Sequence, residues 1–449
     1  MLDEYFGLSK KHTKFKIELV AGLTTFLTMA YIVFVNPSIL SLEGIELSDI
    51  ERMDKQALIA VTCLVSGFAT IIVGIFAKAP IAMAPGMGLN AFFAYLVSSG
   101  KMDWRTALGV VFLSGLLFLI LTLLGLRKRL VEAIPESLVS AIAVGIGLFI
   151  TFMGLVKLGI VVSDEHTLVK AGPLKTSVLI GLFGLLVMVF CEMKKITGGL
   201  VAGIFTSTLL AGLSGRVEMP QSLISLDMNL GAVALQLDIL GALKWSFFGS
   251  IFTLMFIDMF DSVGTLVACC HQADMVDKEN RIEGLDRLLG IDAIATMIGS
   301  LFGTSTTTAY MESAAGIEQG GRTGLTAVVT GILFLLTVLF VPVVGIVPAY
   351  ATAPALIMVG LFMMKQVKRI DFANMEEAFP AFIIIVMIAL SYSISTGLAF
   401  GFVSFTLIKT ISGKAREIRP AMWIIAALSV LFLTIDQISG IIEHLRSLI

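Results

Sequence analysis

Charge is what this chain of 449 residues has least of. Lys, Arg, Asp and Glu together make up 14% of it, against about 25% in an ordinary soluble domain. Neither sign dominates: 31 basic residues face 33 acidic ones, for a net charge of −2. No basic field exists to hold a polyanion, which excludes nucleic acid as a partner. Cysteine is scarce, and Cys63, Cys191, Cys269 and Cys270 all lie in apolar stretches. They read as small buried hydrophobes rather than as a disulfide framework. What is abundant is apolar residue, 57% of the chain, with a mean hydropathy of +0.97. A soluble core needs far less, so the excess faces lipid. A cytosolic enzyme and a disordered scaffold are excluded with it.

The first apolar stretch follows Lys10, Lys11, Lys14 and Lys16. Leu19–Leu42 is too long for the roughly 7–15-residue h-region of a signal peptide. It ends in Asn36-Pro37-Ser38 rather than a small-residue cleavage site, so it reads as a membrane span with a cytoplasmic N-terminus. A spanning helix needs about 20 apolar residues. Charge-free runs occur at 56–77, 79–100, 106–126, 137–156, 176–191, 196–215, 293–311, 323–364 and 378–408. The run 323–364 splits near Pro342–Pro348, and 378–408 splits near Ser391–Gly397. With Trp245–His271 the total is about 14 segments of an all-α polytopic membrane protein. The hydrophobic tail 421–435 is an extra that either spans or lies flat at the interface. Arg127-Lys128-Arg129, Lys194-Lys195, Arg322, Lys365, Lys368, Arg369, Lys409, Lys414, Arg416 and Arg419 fall on the side of the N-terminus, while the loop 43–55 is mostly acidic. That matches the positive-inside rule, with Lys101 and Arg105 as exceptions.

An internal repeat is visible. Gly199-Leu200 with Gly203 resembles Gly397-Leu398 with Gly401, at an offset close to half the chain. Seven spans in each half would invert one half relative to the other, the mark of many secondary transporters. A second correspondence lies in Pro80–Leu96, with Pro80, Pro85, Gly86 and Gly88, and in Gly303–Ile317, with five hydroxyl residues from Thr304 to Thr308. Each suits a short extended stretch leading into a half-helix. Broken backbone at membrane depth survives only inside protein or along a cavity, and broken segments in corresponding positions point to a binding site.

Asp258, Asp261 and Glu312 lie within apolar segments rather than loops. A carboxylate at a helix centre costs at least about 2.5–3.5 kcal/mol on insertion scales, which makes function the default reading. Asp258 and Asp261 are spaced to share one helix face. Glu312 sits where the hydroxyl-rich stretch becomes a half-helix, and Asn90 holds the comparable place in the first half. One amide and one or two carboxylates suit a flat neutral ring bearing N–H and C=O groups. They suit an anion poorly, since neither segment carries Lys or Arg. Buried acids can also pair with hydroxyls and merely hold helices together, and a buried acid that takes up a proton can carry it through a transport cycle. Other signals carry little. Gly86-Met-Gly-Leu-Asn-Ala91 lacks a β-α-β unit, Cys269-Cys270-His271 lacks metal spacing, and Asp274–Arg287 reads as a solvated loop. The 31 Phe residues read as lipid-facing bulk. Two rivals stay open: an anion exchanger or channel of the same architecture, and an intramembrane enzyme using paired acids.

Four motifs resemble the AzgA-like purine permeases of the nucleobase–cation symporter group, which includes the uracil and xanthine permeases. They are Gly22–Ser38, Ala84–Phe93, Phe256–Leu266 and Gly303–Leu325, and the likeness covers nearly the whole chain. The resemblance implies two inverted seven-span repeats, with short antiparallel strands and half-helices in spans 3 and 10. It implies a core domain at 1–125 and 245–343, a gate domain at 126–244 and 344–420, and a tail at 421–449. It further implies a multi-pass protein of the cell membrane, not an enzyme, importing guanine, hypoxanthine or adenine by proton symport, in an elevator-like movement. The partners are the purine, membrane lipid and a second copy in a homodimer. No cofactor or metal is implied beyond the proton. By motif, Asn90, Asp261 and Glu312 are the substrate-binding residues, with Asp261 and Asp258 as proton-coupling candidates. The wider group often has Glu in place of Asp261, and Thr265 stands where some relatives carry a charged residue or His.

Overall fold

The computed structural model describes residues 2–43, 51–100, 102–125, 134–164, 166–217, 222–225, 228–276, 282, 284–391, 393–430 and 433–434. Nine helices among them are long and apolar enough to cross a membrane. These are span 1 (Phe15–Leu40), span 2 (Lys55–Ala77), span 4 (Trp104–Leu123), span 5 (Glu136–Leu158), span 6 (Thr176–Met193), span 8 (Trp245–Gln272), span 11 (Gly324–Gly345), span 12 (Ala349–Arg369) and span 14 (Ile394–Ile411). Span 7 (Gly199–Leu213) and span 13 (Met375–Leu390) are slightly shorter, and span 9 (Leu285–Phe302) carries charge. Spans 3 and 10 are half strand and half helix. Strand β1 (Met83–Pro85) leads into helix Met87–Ser98 of span 3, and β4 (Thr307–Ala309) precedes helix Ser313–Glu318 of span 10. Between spans 5 and 6 lies a hairpin of β2 (Val161–Asp164) and β3 (Leu168–Ala171). The count of fourteen stands, and so do both splits: at 346–348 before span 12, and at 391–393 before span 14.

Two span starts differ from the charge-free runs. Span 1 begins at Phe15 rather than Leu19, and span 9 at Leu285 rather than residue 293. Each extra turn takes in a carboxylate, Glu18 or Asp292, and both are fully buried. A helix does not end at a charge when the protein around it supplies partners. The basic run 127–129, residue 101 and most of the tail lie outside the described residues. Its described part includes a helix at Pro420–Val430. Arg105 makes a two-pronged ion pair with Glu51 of the acidic loop, at 2.6 and 2.8 Å, so its charge is balanced on its own side. The phenylalanines are divided: Phe183, Phe190 and Phe205 are open, as lipid-facing residues would be, whereas Phe92, Phe93, Phe118, Phe256 and Phe334 are fully buried.

The chain divides into two compact units. One is Met1–Leu123 with Thr151–Met358, and the other is Leu124–Ile150 with Val359–Ile449. The first holds both broken spans. β1 and β4 pair antiparallel, Met83 opposite Ala309, Ala84 opposite Thr308 and Pro85 opposite Thr307. The two half-helices therefore leave the strand pair in opposite directions, as an inverted repeat requires. Around this centre helices approach to backbone contact. Gly67 of span 2 meets Gly331 of span 11, where an added Cβ would fall 2.6 Å from Leu335 or from the Gly67 carbonyl, and Gly74 meets Gly324 one heptad away. Small residues at such crossings permit close packing where lipid gives no hydrophobic drive. The repeated glycines behave alike. Gly199 and Gly203 of span 7 lie against Cys191 and Met188 of span 6, and Gly397 and Gly401 of span 14 lie against Ile388 and Ile384 of span 13.

Glu18 ties span 1 to span 11. Its carboxylate accepts the Thr326 hydroxyl at 2.6 Å and backbone N–H groups of Arg322, Thr323 and Thr326 at 3.0, 3.4 and 3.2 Å. The Thr326 N–H also reaches the Thr323 carbonyl at 3.2 Å, whereas the Arg322 and Thr323 N–H groups lie ahead of the span-11 helix and outside its ladder. Glu18→Ala leaves them buried and unpaired, an expected loss of about 3 kcal/mol. Thermal unfolding in detergent should show a lower midpoint for Glu18→Ala than for Glu18→Gln, which keeps one acceptor.

Candidate functional site

The site grows out of the β1–β4 pair. Three residues of strand leave few ladder bonds, so hydroxyl side chains complete them. Thr70 of span 2 accepts from the Met83 N–H at 2.9 Å and donates to the Met83 carbonyl at 3.0 Å. Ser313 accepts from the Ala82 N–H at 3.0 Å, and Tyr310 donates to the Pro85 carbonyl at 2.5 Å. Thr296 of span 9 both accepts the Thr307 N–H and donates to the Thr307 carbonyl, at 3.2 and 2.9 Å. The row Thr304–Thr308 is wholly buried. It is polar because it lies inside protein rather than in lipid.

Glu312 is the cap residue just ahead of the span-10 half-helix and is half-buried. It makes no cap bond to its own helix. Its Oε1 accepts instead from the Tyr31 hydroxyl at 2.6 Å, where span 1 breaks between its two helical parts. The half-helix has only six residues, and the N–H groups of Ser313, Ala314 and Ala315 already bond to Tyr310, Met311 and Glu312 carbonyls. The carboxylate, more than the helix end, is what this segment offers a ligand. Asn90 lies in the first turn of the span-3 half-helix and is fully buried. Ser305 donates to its Oδ1, which holds the amide in one orientation, and its Nδ2 has no partner. An unpaired buried donor costs about 1–3 kcal/mol, so this N–H is kept for a ligand or a water. Gly86 offers no side chain to cap that helix, which leaves the first N–H groups, from Met87 to Leu89, without intrahelical partners.

Asp258 and Asp261 diverge despite their spacing. Asp258 is 1% exposed and accepts from Thr296 at 3.3 Å. Asp261 is exposed, on a face of span 8 that also bares Gly264. It lies within electrostatic reach of Glu312, Tyr31 and Tyr310. The structure thus brings Asp261 and Glu312 to one open site, links Asn90 to the same strand pair, and sends Asp258 into the interior. Asp258 and Asp261 therefore do not face one common opening. Tyr31, Ser305, Thr296 and Asp292 escaped the sequence reading. A tyrosine in an apolar span carries no signal until its partner across 281 residues is known. Asp292 lies outside the charge-free run 293–311, yet the helix extends back over it to Leu285.

The chain resembles known proteins in sequence and, separately, in fold. Residues 16–400 match the xanthine/uracil permease model, described as a permease family. The chain is similar to adenine permease AdeP of Escherichia coli, 39% identical over 96% of this chain and 95% of that one. It is also similar to guanine/hypoxanthine permease PbuG of Bacillus subtilis, 40% identical over 94% and 97%. Its fold is that of the transmembrane domain of a cyanobacterial bicarbonate transporter, BicA, with a TM-score of 0.64 at 18% identity over 84% and 96%.

Ser305→Ala would strip Asn90 Oδ1 of its donor inside the core. We expect about 1–3 kcal/mol of lost stability, read as a lower unfolding midpoint. Ser305→Thr, which keeps the hydroxyl, should recover most of it.

Proposed function

The chain belongs to the xanthine/uracil permease family, and on that premise we propose that it imports purine nucleobases, guanine, hypoxanthine or adenine, by proton symport. The observation that carries the reading is the pairing of one fixed carboxylate with one unpaired amide donor. Glu312, held by Tyr31 through one oxygen, keeps the other for a ring N–H. Asn90 Nδ2 donates to a ring acceptor, and backbone N–H groups at the start of the span-3 half-helix donate to an exocyclic carbonyl. Such a set matches a planar ring with donors and acceptors on different edges. An anion placed there would face two carboxylates, Glu312 and Asp261, with no cationic side chain on either broken span. Asp261, open to the site, takes up the coupling proton. Protonation of one acid relieves the like-charge repulsion between the two, so proton uptake and the geometry of Glu312 are linked.

Transport follows as an elevator-like movement of a core, 1–125 with 245–343, against a gate, 126–244 with 344–420, in a homodimer of the cell membrane. The N-terminus is cytoplasmic. No cofactor takes part besides the proton.

The test is uptake of labelled hypoxanthine, guanine and adenine into proteoliposomes, with and without an inward proton gradient. Gradient-driven accumulation of at least one is expected, and no uptake of any under any gradient overturns the reading. Glu312→Gln replaces a charged acceptor and should weaken purine binding by roughly 1.5–3 kcal/mol, about ten- to a hundredfold in Kd. Asp261→Asn should bind purine yet lose the dependence of accumulation on the gradient. Unchanged affinity in the first variant, or unchanged gradient dependence in the second, contradicts that residue's role.

A further inference from the structure

Behind the open site lies a second group of polar side chains that purine binding does not use. Asp258 of span 8 and Asp292 of span 9 are 1% and 0% exposed, and each acts electrostatically on the other. Ser262, one turn after Asp258, donates to Asp292 Oδ2 at 2.6 Å and shares a hydrogen bond of 2.7 Å with the Thr308 hydroxyl. Thr296, one turn after Asp292, lies 3.3 Å from Asp258 Oδ2 and shares its single hydroxyl proton between that oxygen and the Thr307 carbonyl at 2.9 Å. Asp258 Oδ1 has no hydrogen-bond partner there, and neither has the Thr307 hydroxyl, which lies against Gly299, a turn beyond Thr296 on span 9. Thr307 is fully buried.

Two like charges cannot both persist in such a place without a cation. None of the described side chains supplies one. Span 4 brings only Arg105, which is paired with Glu51, and span 2 brings Lys55, paired with Glu43, and Lys78, which lies over the ring of Tyr5. Arg287, at the start of span 9 beside Asp286, bonds the Phe76 carbonyl. Span 8 itself adds Asp261, His271, Cys269 and Cys270. The half-helix of span 10 adds Glu318 after Glu312 and Tyr310, span 3 adds Tyr95, and span 2 adds Cys63. The missing positive charge must therefore come from solution. A proton supplies that charge without needing a cavity.

We infer that the Asp258–Asp292 pair is a buried proton-holding site, separate from the purine site and joined to it through β4. The inference rests on the proton-symport reading. Asp261 receives the proton from the open side, and Asp258, one helical turn away and within its field, passes it into the pair. The consequences reach the ligand by a short route. Ser262 and Thr296 bond both to these acids and to the strand residues Thr308 and Thr307, and the strand runs on into Glu312. Loss of the proton makes each carboxylate a stronger acceptor, tightens its hold on those hydroxyls and pulls on β4. The purine and proton sites then sense each other with no shared contact.

The experiment compares the full-length wild type with Asp292→Asn and Asp258→Asn in proteoliposomes. Each is assayed for purine binding, for purine exchange without a gradient, and for accumulation under a proton gradient. Both variants are expected to bind purine within about threefold of wild type, to exchange it, and to accumulate none beyond parity with the outside. Accumulation equal to wild type in both overturns the inference, as does purine affinity lost along with it, which would put the pair in the purine site or the scaffold. Accumulation driven by a sodium gradient alone overturns it too. Should either Asn variant fail to fold, Ser262→Ala keeps both acids, removes the hydroxyl that joins Asp292 to Thr308 and must move the midpoint of the pH–accumulation profile; an unmoved midpoint overturns the inference. A wild type that transports no purine would instead sink the parent reading, so the two failures are told apart.

Discussion

Backbone at membrane depth has to be paired, and a three-residue strand pair is where this protein meets that demand. β1 and β4 are too short to satisfy themselves. Hydroxyls from spans 2, 9 and 10 complete the ladder, which is why Thr70, Thr296 and Ser313 are buried among apolar residues. Every feature of the open site is referred to that pair. It fixes where both half-helices begin, and hence where Asn90 and Glu312 stand. The glycine crossings of spans 2 and 11 and the Glu18 anchor serve the same end, since they hold the helices that carry those hydroxyls. The first unit is thus organised around its least regular segment.

Charge follows one rule throughout the first unit. A carboxylate is kept in the interior only where several donors converge on it or where a proton can replace the missing cation. Glu18 shows the first case, with four donors and a structural task. Asp258 and Asp292 show the second. Glu312 lies between, with one oxygen held by Tyr31, and the proposed purine contact uses this half-satisfied state. Asn90 has the same character: its acceptor is used internally and its donor is not.

Much of this was legible in the residues. Charge-free runs and prolines give the number of spans and both splits. The Pro/Gly cluster before Asn90 and the hydroxyl row before Glu312 mark the broken spans, because neither composition could face lipid. The helical repeat placed Asp258 and Asp261 on one face, yet span 8 presents one to the interior and the other to open space. Sequence spacing gives an angle about an axis, and only the neighbours decide what that angle meets. Glu18 and Asp292 were lost for a related reason: charge was read as the end of a helix, whereas partners distant in sequence allow the helix to continue. Tyr31 and Ser305 act only through partners 281 and 215 residues away, and no local pattern carries that information.

The central claim is that the ligand lies between Glu312 and Asn90, at the two ends of the strand pair. The most direct measurement is a structure of the full-length protein with bound hypoxanthine, guanine or adenine. The account predicts ring density within hydrogen-bond distance of both Glu312 and Asn90 Nδ2, with the Tyr31–Glu312 bond intact. Purine density elsewhere in the protein, with Asn90 Nδ2 still unpaired, would contradict it.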